Sequence, residues 1–137
     1  MPISWRPSMA IGDEGIDSDH HRLIDIINKV EQELYATTGS DELSGTLDEL
    51  VAYTNIHFDR EENLMRYTSY NGLIYHRQSH RELRAHLAKI RTSIEAAKSK
   101  ELPQSEKEDL IILLRHWLLD HVLKEDMVFK AFLESLS

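Results

Sequence analysis

The chain has 137 residues, of which 41% are hydrophobic and 29% charged, a composition typical of one globular domain over residues 1–137. Its net charge of -8 makes nucleic acid and anionic lipid poor partners, and the absence of cysteine excludes disulfides, iron–sulfur clusters and thiolate zinc sites. With only five glycines and three prolines, a turn-rich β fold is disfavoured, and we predict an all-α protein.

Two helices are predicted in the first half of the chain, after an irregular N-terminal segment. An apolar stripe at helical spacing begins near Asp17 or Ser18, either of which could cap the first helix. The segment Thr37–Asp41 contains a glycine and is predicted to be a turn. A second stripe follows it and predicts a helix that ends near Tyr67.

Two more helices are predicted in the second half. The longest stripe runs from Leu73 to Ala97, and a fourth helix follows Pro103 with Ser105 as its predicted cap. The tail Val128–Leu136 is long enough for a short extra helix. Short connections between four amphipathic helices favour an up-down-up-down antiparallel four-helix bundle with a short C-terminal tail.

Several polar residues lie in phase with the leucines, where a hydrophobic core is expected. They come from all four predicted helices: His20, His57, Glu61, His76, His80 and His121. A single histidine on an apolar face is more often an ordinary core residue than a ligand. Six such groups that converge from four helices would be costly to bury without a shared partner, and a metal ion is such a partner.

The spacing of these residues and their number indicate two metal ions. His57 and Glu61 are four residues apart, as are His76 and His80, so each pair points to one side of its helix. Five imidazoles exceed what one tetrahedral zinc ion needs. Imidazole with carboxylate suits iron, zinc, copper or nickel rather than magnesium or calcium.

Four segments together resemble the bacterial members of the hemerythrin family, and the resemblance covers essentially the whole chain. They are Ile16–Leu23, His57–Met65, His76–His80 and Trp117–Asp126. Their order and separations make the set specific, although each segment alone is a moderate signal.

The resemblance implies a pair of iron ions with an oxo or hydroxo bridge. One iron would be held by His76, His80 and His121, and the other by His20 and His57, while Glu61 and Asp126 bridge both. The second iron would keep one open position, at which dioxygen binds. The apolar wall of this oxygen pocket would be formed by Leu23, Ile24, Phe58, Trp117 and Leu118.

The assignment of Asp126 as a ligand depends on the resemblance alone. Asp126 lies five residues after His121, about 140° away around a regular helix, whereas Glu125 has the better simple geometry. The family pattern selects Asp126, and this choice requires local unwinding, a π-like turn or a reach across the bundle end.

Other residues depart from the pattern or lie beside the stripes. Asp19 precedes His20 where this family often has glutamine, and His21 follows it but falls off the stripe. We expect His21 to be solvated, and we assign Glu62 first to the solvated face of the second helix, with a weaker possibility of supporting a ligand. His86 and His116 also flank their stripes and are expected to be partly exposed. None of these is predicted to bind metal.

The function that the resemblance implies is reversible binding of dioxygen, for storage or delivery, without catalytic residues. The alternatives are a di-iron oxidase, an enzyme that reduces peroxide or nitric oxide, and an oxygen sensor that acts through a partner. A non-catalytic bundle that binds zinc or no metal is a further possibility. We expect a cytoplasmic monomer that does not insert into membranes, with an oxygen-consuming protein as a possible partner.

Overall fold

A computed structural model describes residues 3–35, 40–97 and 104–136, which form helices and no β-strand. After a short 3-10 turn at Pro7–Met9, the elements are α1 (Glu14–Tyr35), α2 (Ser40–Tyr67), α3 (Leu73–Ala97), α4 (Gln104–Asp120), a π-helical turn (His121–Glu125) and α5 (Asp126–Ser135). Helix α2 packs against α1 and α3, and α1 also contacts α4. The predicted four-helix bundle is confirmed.

None of the described helices has the length and hydropathy that a membrane-spanning segment needs.

Helix α1 begins at Glu14, so the predicted start at Asp17 or Ser18 is wrong. The cap is Asp13, whose Oδ2 accepts a hydrogen bond of 3.0 Å from the backbone N–H of Ile16. This bond gives a partner to one of the backbone N–H groups that the first turn of a helix leaves free, as N-cap carboxylates commonly do.

Asp17 lies inside α1 and fixes the segment that precedes the helix. Its Oδ1 accepts a hydrogen bond from the backbone N–H of Ile11 at 2.7 Å, and its Oδ2 accepts one from Gly12 at 3.2 Å. Gly12 has a φ of 97°, a left-handed conformation that favours glycine and marks the turn into the helix. Asp17 therefore binds free backbone amides as predicted for a cap, but these amides lie in the turn before the helix.

The other helix ends agree with the predictions in part. Helix α2 ends at Tyr67 as predicted, but Ser105 lies inside α4 and is not its cap. Of the predicted turn at Thr37–Asp41, residues 37–39 lie outside the described residues, as does Pro103, and the rest already belongs to α2.

The C-terminal tail is helical, and α5 begins at Asp126, before the predicted Val128. The residues on both sides of the π-helical turn keep right-handed helical backbone angles, so α4, this turn and α5 follow one another without a break. The turn adds one residue to a helical repeat and so changes which side chains face the bundle interior.

The interior of the bundle consists of two apolar clusters with a polar layer between them. The large apolar cluster includes Leu23, Ile27, Val30, Leu34, Leu43, Leu47, Leu50, Leu87, Ile94, Leu110 and Leu114. The small apolar cluster is formed by Ile11, Ile16, Met65 and Phe129, with partly buried neighbours. Along α1, His20 lies between Ile16 of the small cluster and Leu23 of the large one, which places the polar layer between the two.

Candidate metal centre

All seven predicted ligands meet in the polar layer, and none is more than 3% exposed. They are His20, His57, Glu61, His76, His80, His121 and Asp126. Their nitrogen and oxygen atoms form two groups, each compact enough to hold a metal ion, with all atoms of a group within 4.8 Å of one another. Glu61 and His121 belong to both groups.

The two oxygens of Glu61 face different histidines. Its Oε1 contacts Nε2 of His76 and lies 3.3 Å from Nε2 of His80. Its Oε2 lies 3.2 Å from Nε2 of His57 and 3.8 Å from Nε2 of His20. The carboxylate therefore stands between a pair of histidines on one side and other histidines on the opposite side.

Asp126 divides its oxygens in the same way. Its Oδ1 lies 3.0 Å from Nε2 of His76 and 3.3 Å from Nε2 of His121, while its Oδ2 lies 2.8 Å from Nε2 of His20. We call the side of His20 and His57 the two-histidine position. The side of His76, His80 and His121 is the three-histidine position, to which the carboxylate contacts assign His121.

Several buried atoms of this layer have no hydrogen-bond partner of acceptable geometry among the described residues. They are both oxygens of Glu61, Oδ2 of Asp126, and Nε2 of His80 and His121. Unpartnered buried polar atoms are costly, and these converge on a common region instead of pairing with one another. Imidazole nitrogens and carboxylate oxygens in this ratio fit divalent iron, zinc, copper or nickel. The donor set therefore fits a pair of such ions.

The charges of the layer shift its titration when no metal is bound. Burial alone would lower the pKa of His76, but the carboxylates of Asp126 and Glu61 outweigh it and raise the pKa to about 9. Burial opposes the shift at Glu61 too, yet the neighbouring histidines, His121 first, hold its pKa well below the usual value. Burial keeps the pKa of His80 low, and the charge of His121 adds to this effect. Protons on some histidines thus balance the buried carboxylates.

The π-helical turn explains how Asp126 reaches the layer. Its backbone N–H donates to the carbonyl oxygen of His121, five residues earlier, so both side chains point to the same side. Of the three routes that the sequence left open, the π-like turn is the one the structure has. Glu125 instead lies outside the layer, where it accepts a hydrogen bond of 2.7 Å from Ser79.

Three further carboxylates face the outer nitrogens of the histidine rings, and only one of them, Glu62, had a possible supporting role from the sequence. The Nδ1 contacts are Asp19 with His57 at 3.4 Å, Glu62 with His80 at 2.9 Å and Glu125 with His121 at 3.1 Å. The first assignment of Glu62 to the solvated face is wrong, because this side chain is only 13% exposed, and its contact with His80 agrees with the weaker of the two predictions. Contacts of this kind fix ring orientation in metal sites. For Glu125, the available sequence signal was its position four residues after His121.

Four of the five residues predicted to wall an oxygen pocket are buried in the large apolar cluster: Leu23, Ile24, Phe58 and Trp117. Phe58 stacks on the ring of His80 with centroids 3.8 Å apart, and the ring of Trp117 lies parallel to that of His121 at 6.4 Å. The fifth, Leu118, belongs to α4, but its side chain is outside the described residues.

The remaining histidines stay outside the layer, as expected. His21 and His116 are exposed and approach carboxylates on their own helices, Asp25 at 3.7 Å and Asp120 at 2.7 Å. His86 is also exposed, in the groove between α3 and α4.

Comparison with known proteins gives consistent matches over most of the chain. The family described as Hemerythrin HHE cation binding domain matches residues 12–133. A bacteriohemerythrin of Stenotrophomonas maltophilia is 27% identical over 93% of this chain and 78% of its own. A myohemerythrin of Riftia pachyptila is 27% identical over 95% of this chain and 92% of its own. A crystal structure of a wild-type hemerythrin shares the fold, with a TM-score of 0.80 at 23% identity over 96% of this chain and 97% of that one.

Proposed function

This chain belongs to the hemerythrin family, and from that premise we propose that its polar layer holds two iron ions and binds dioxygen reversibly. The proposed ligands are His20 and His57 at one ion, His76, His80 and His121 at the other, and Glu61 and Asp126 between them. One observation carries the proposal: both carboxylates turn one oxygen to each position. A single ion would leave half of these oxygens without a cation.

The unequal number of histidines supports an oxygen-binding role. With both carboxylates shared, the two-histidine position has one protein ligand fewer than the three-histidine position. Bound ferrous ions would supply two electrons to dioxygen, and the position with fewer protein ligands would leave room for it to bind.

The apolar residues around the layer would keep the bound oxygen away from bulk water. Leu23, Ile24 and Phe58 are each at most 3% exposed, and Trp117 is 5% exposed. A dry, low-dielectric surround makes escape of charged products and entry of outside protons unfavourable. Reversible release needs these conditions, whereas an enzyme that reduces oxygen needs a proton donor that reaches the site.

The central test begins with the iron content of protein from iron-fed cells, for which we expect two ions per chain. The protein is then reduced, exposed to air and finally depleted of oxygen while the visible spectrum is recorded. Absorption that appears with oxygen and disappears on its removal supports reversible binding.

Other outcomes of the same experiment favour the alternatives. Conversion to the diferric form in a single exposure, without recovery of the reduced spectrum, would support an oxidase. An iron content well below two ions, together with tight zinc binding, would replace the proposal by a zinc-binding or metal-free bundle. A carrier would be distinguished from a sensor by adding an oxygen-consuming protein and measuring whether it accelerates the release of dioxygen.

A further inference from the structure

Asp19 is a buried carboxylate outside the proposed ligand set. It is fully buried on α1, directly before His20. Its Oδ1 accepts a hydrogen bond of 2.9 Å from Arg60 and one of 3.2 Å from the hydroxyl of Tyr53. Burying an anion without partners is costly, so these two hydrogen bonds stabilise the carboxylate in the interior. They do not explain why the second oxygen, Oδ2, faces a histidine ring.

The second oxygen of Asp19 points to His57. Because Arg60 and Tyr53 both bind Oδ1, Oδ2 is left for Nδ1 of His57 at 3.4 Å. The opposite ring nitrogen, Nε2, faces Oε2 of Glu61 at 3.2 Å. With Nε2 bound to a metal ion, Nδ1 would carry the ring proton and donate a hydrogen bond to Oδ2 of Asp19. The ring then presents its lone pair to a cation while an anion stands behind it.

The two metal positions have separate outer carboxylates. At the three-histidine position, Glu62 and Glu125 contact the outer ring nitrogens. Glu62 also contacts Arg77 at 3.2 Å, and Glu125 also contacts Ser79. Behind the two-histidine position stands Asp19 alone among the described residues, since Nδ1 of His20 has no hydrogen-bond partner there. Asp19 is also the most deeply buried of the three, and an interior charge is the least screened by water.

We propose that the negative charge of Asp19 makes it the positioning residue of the two-histidine position, where it raises the affinity for a divalent metal without affecting the three-histidine position. The inference rests on the proposed metal pair. An anionic acceptor behind His57 makes the ring a stronger donor and holds it in one tautomer. Loss of such a partner typically weakens metal binding roughly 10- to 100-fold.

The test is a site-resolved zinc titration of the full chain, labelled with nitrogen-15 in its histidines, at buffered free zinc concentrations. Resonances of His20 and His57 report one position, and those of His80 report the other. In Asp19→Asn, which keeps the shape and an acceptor oxygen but removes the charge, zinc binding at His20 and His57 should require roughly 10- to 100-fold more free zinc. Binding at His80 should stay unchanged.

The matched control is Glu62→Gln, the same chemical change behind His80. It should weaken zinc binding at His80 and leave His20 and His57 as in the unaltered chain. If Asp19→Asn weakens both positions equally, or neither, the inference is overturned. If the unaltered chain binds fewer than two zinc ions, this inference fails, and an iron content below two ions per chain would show that the metal pair fails as well.

A second measurement needs no substitution and therefore does not depend on the folding of the variant. In the zinc-loaded unaltered chain, the Nδ1 proton of His57 should resonate downfield, as expected for a proton shared with a carboxylate. The corresponding signal of His20 should show no such shift. Equal chemical shifts for the two protons would contradict the proposed contact.

Discussion

The large apolar cluster and the polar layer are neighbours in one bundle, but they differ in how complete they are. In the large cluster, leucine and isoleucine side chains from four helices bury each other without any further component. In the polar layer, several equally buried nitrogen and oxygen atoms have no hydrogen-bond partner among the described residues. The first region stabilises the fold by itself, whereas the second needs protons or metal ions to balance its charges.

We therefore expect that stability and metal binding can be perturbed separately. Substitutions in the large cluster should lower the free energy of unfolding and leave the metal content unchanged. Substitutions in the polar layer should change metal content first.

The largest effect is expected from His121→Ala, which removes a ligand from the centre of the polar layer. Iron content should fall from two ions per chain to one or none, because the three-histidine position loses a nitrogen that no described neighbour can replace. Elemental analysis of purified protein measures this. His86→Ala is the control, since His86 is exposed outside the layer, and equal losses of iron in both variants would contradict the ligand assignment.

The converse change is Leu47→Ala in the large apolar cluster, where the leucine is 1% exposed. The cavity should lower the free energy of unfolding by about 2–5 kcal/mol, as measured by chemical denaturation of the metal-free protein. Iron content of the folded protein should stay at two ions. A parallel loss of iron would mean that the two regions are not independent.

A smaller effect is expected from pH on the metal-free protein. The pKa of His76 is raised to about 9 in the folded chain, from an ordinary value of 6.5, and the pKa values of His57 and His121 are also raised. Stability from their protonation is fully present below pH 6.5 and is lost as the pH rises toward 9. The melting temperature of the metal-free protein should therefore fall over this range. Because metal ions replace those protons, the loaded protein should show a weaker fall, and identical profiles would argue against this charge balance.

The smallest effect is expected from Thr54→Val, at the border of the two regions. Thr54 is 1% exposed, and its hydroxyl has no hydrogen-bond partner among the described residues. Valine has nearly the same shape, so the change should stabilise the fold by about 1 kcal/mol with two iron ions retained. Denaturation of the metal-free variant measures the gain, and a loss of iron would instead assign Thr54 to the metal site.

The helices and most of the proposed ligands could be predicted because their signals are local. His57 and Glu61, or His76 and His80, are one turn apart, and a regular helix brings such residues to one side whatever the rest of the fold does. The start of α1 was misplaced because Asp13 and Asp17 are both plausible caps, and only the structure shows that Asp13 caps the helix while Asp17 binds the backbone of the preceding turn.

The four-helix bundle and the six polar side chains in phase with its core could be predicted without the structure, because helical periodicity depends only on spacing along the chain. Asp126 could be selected only by resemblance, and its position follows from a π-helical turn that spacing does not predict. The contact of Asp19 with His57, 38 residues apart in sequence, is visible only in the folded chain. Such contacts depend on how two helices pack and rotate against each other, and no pattern within either helix records that.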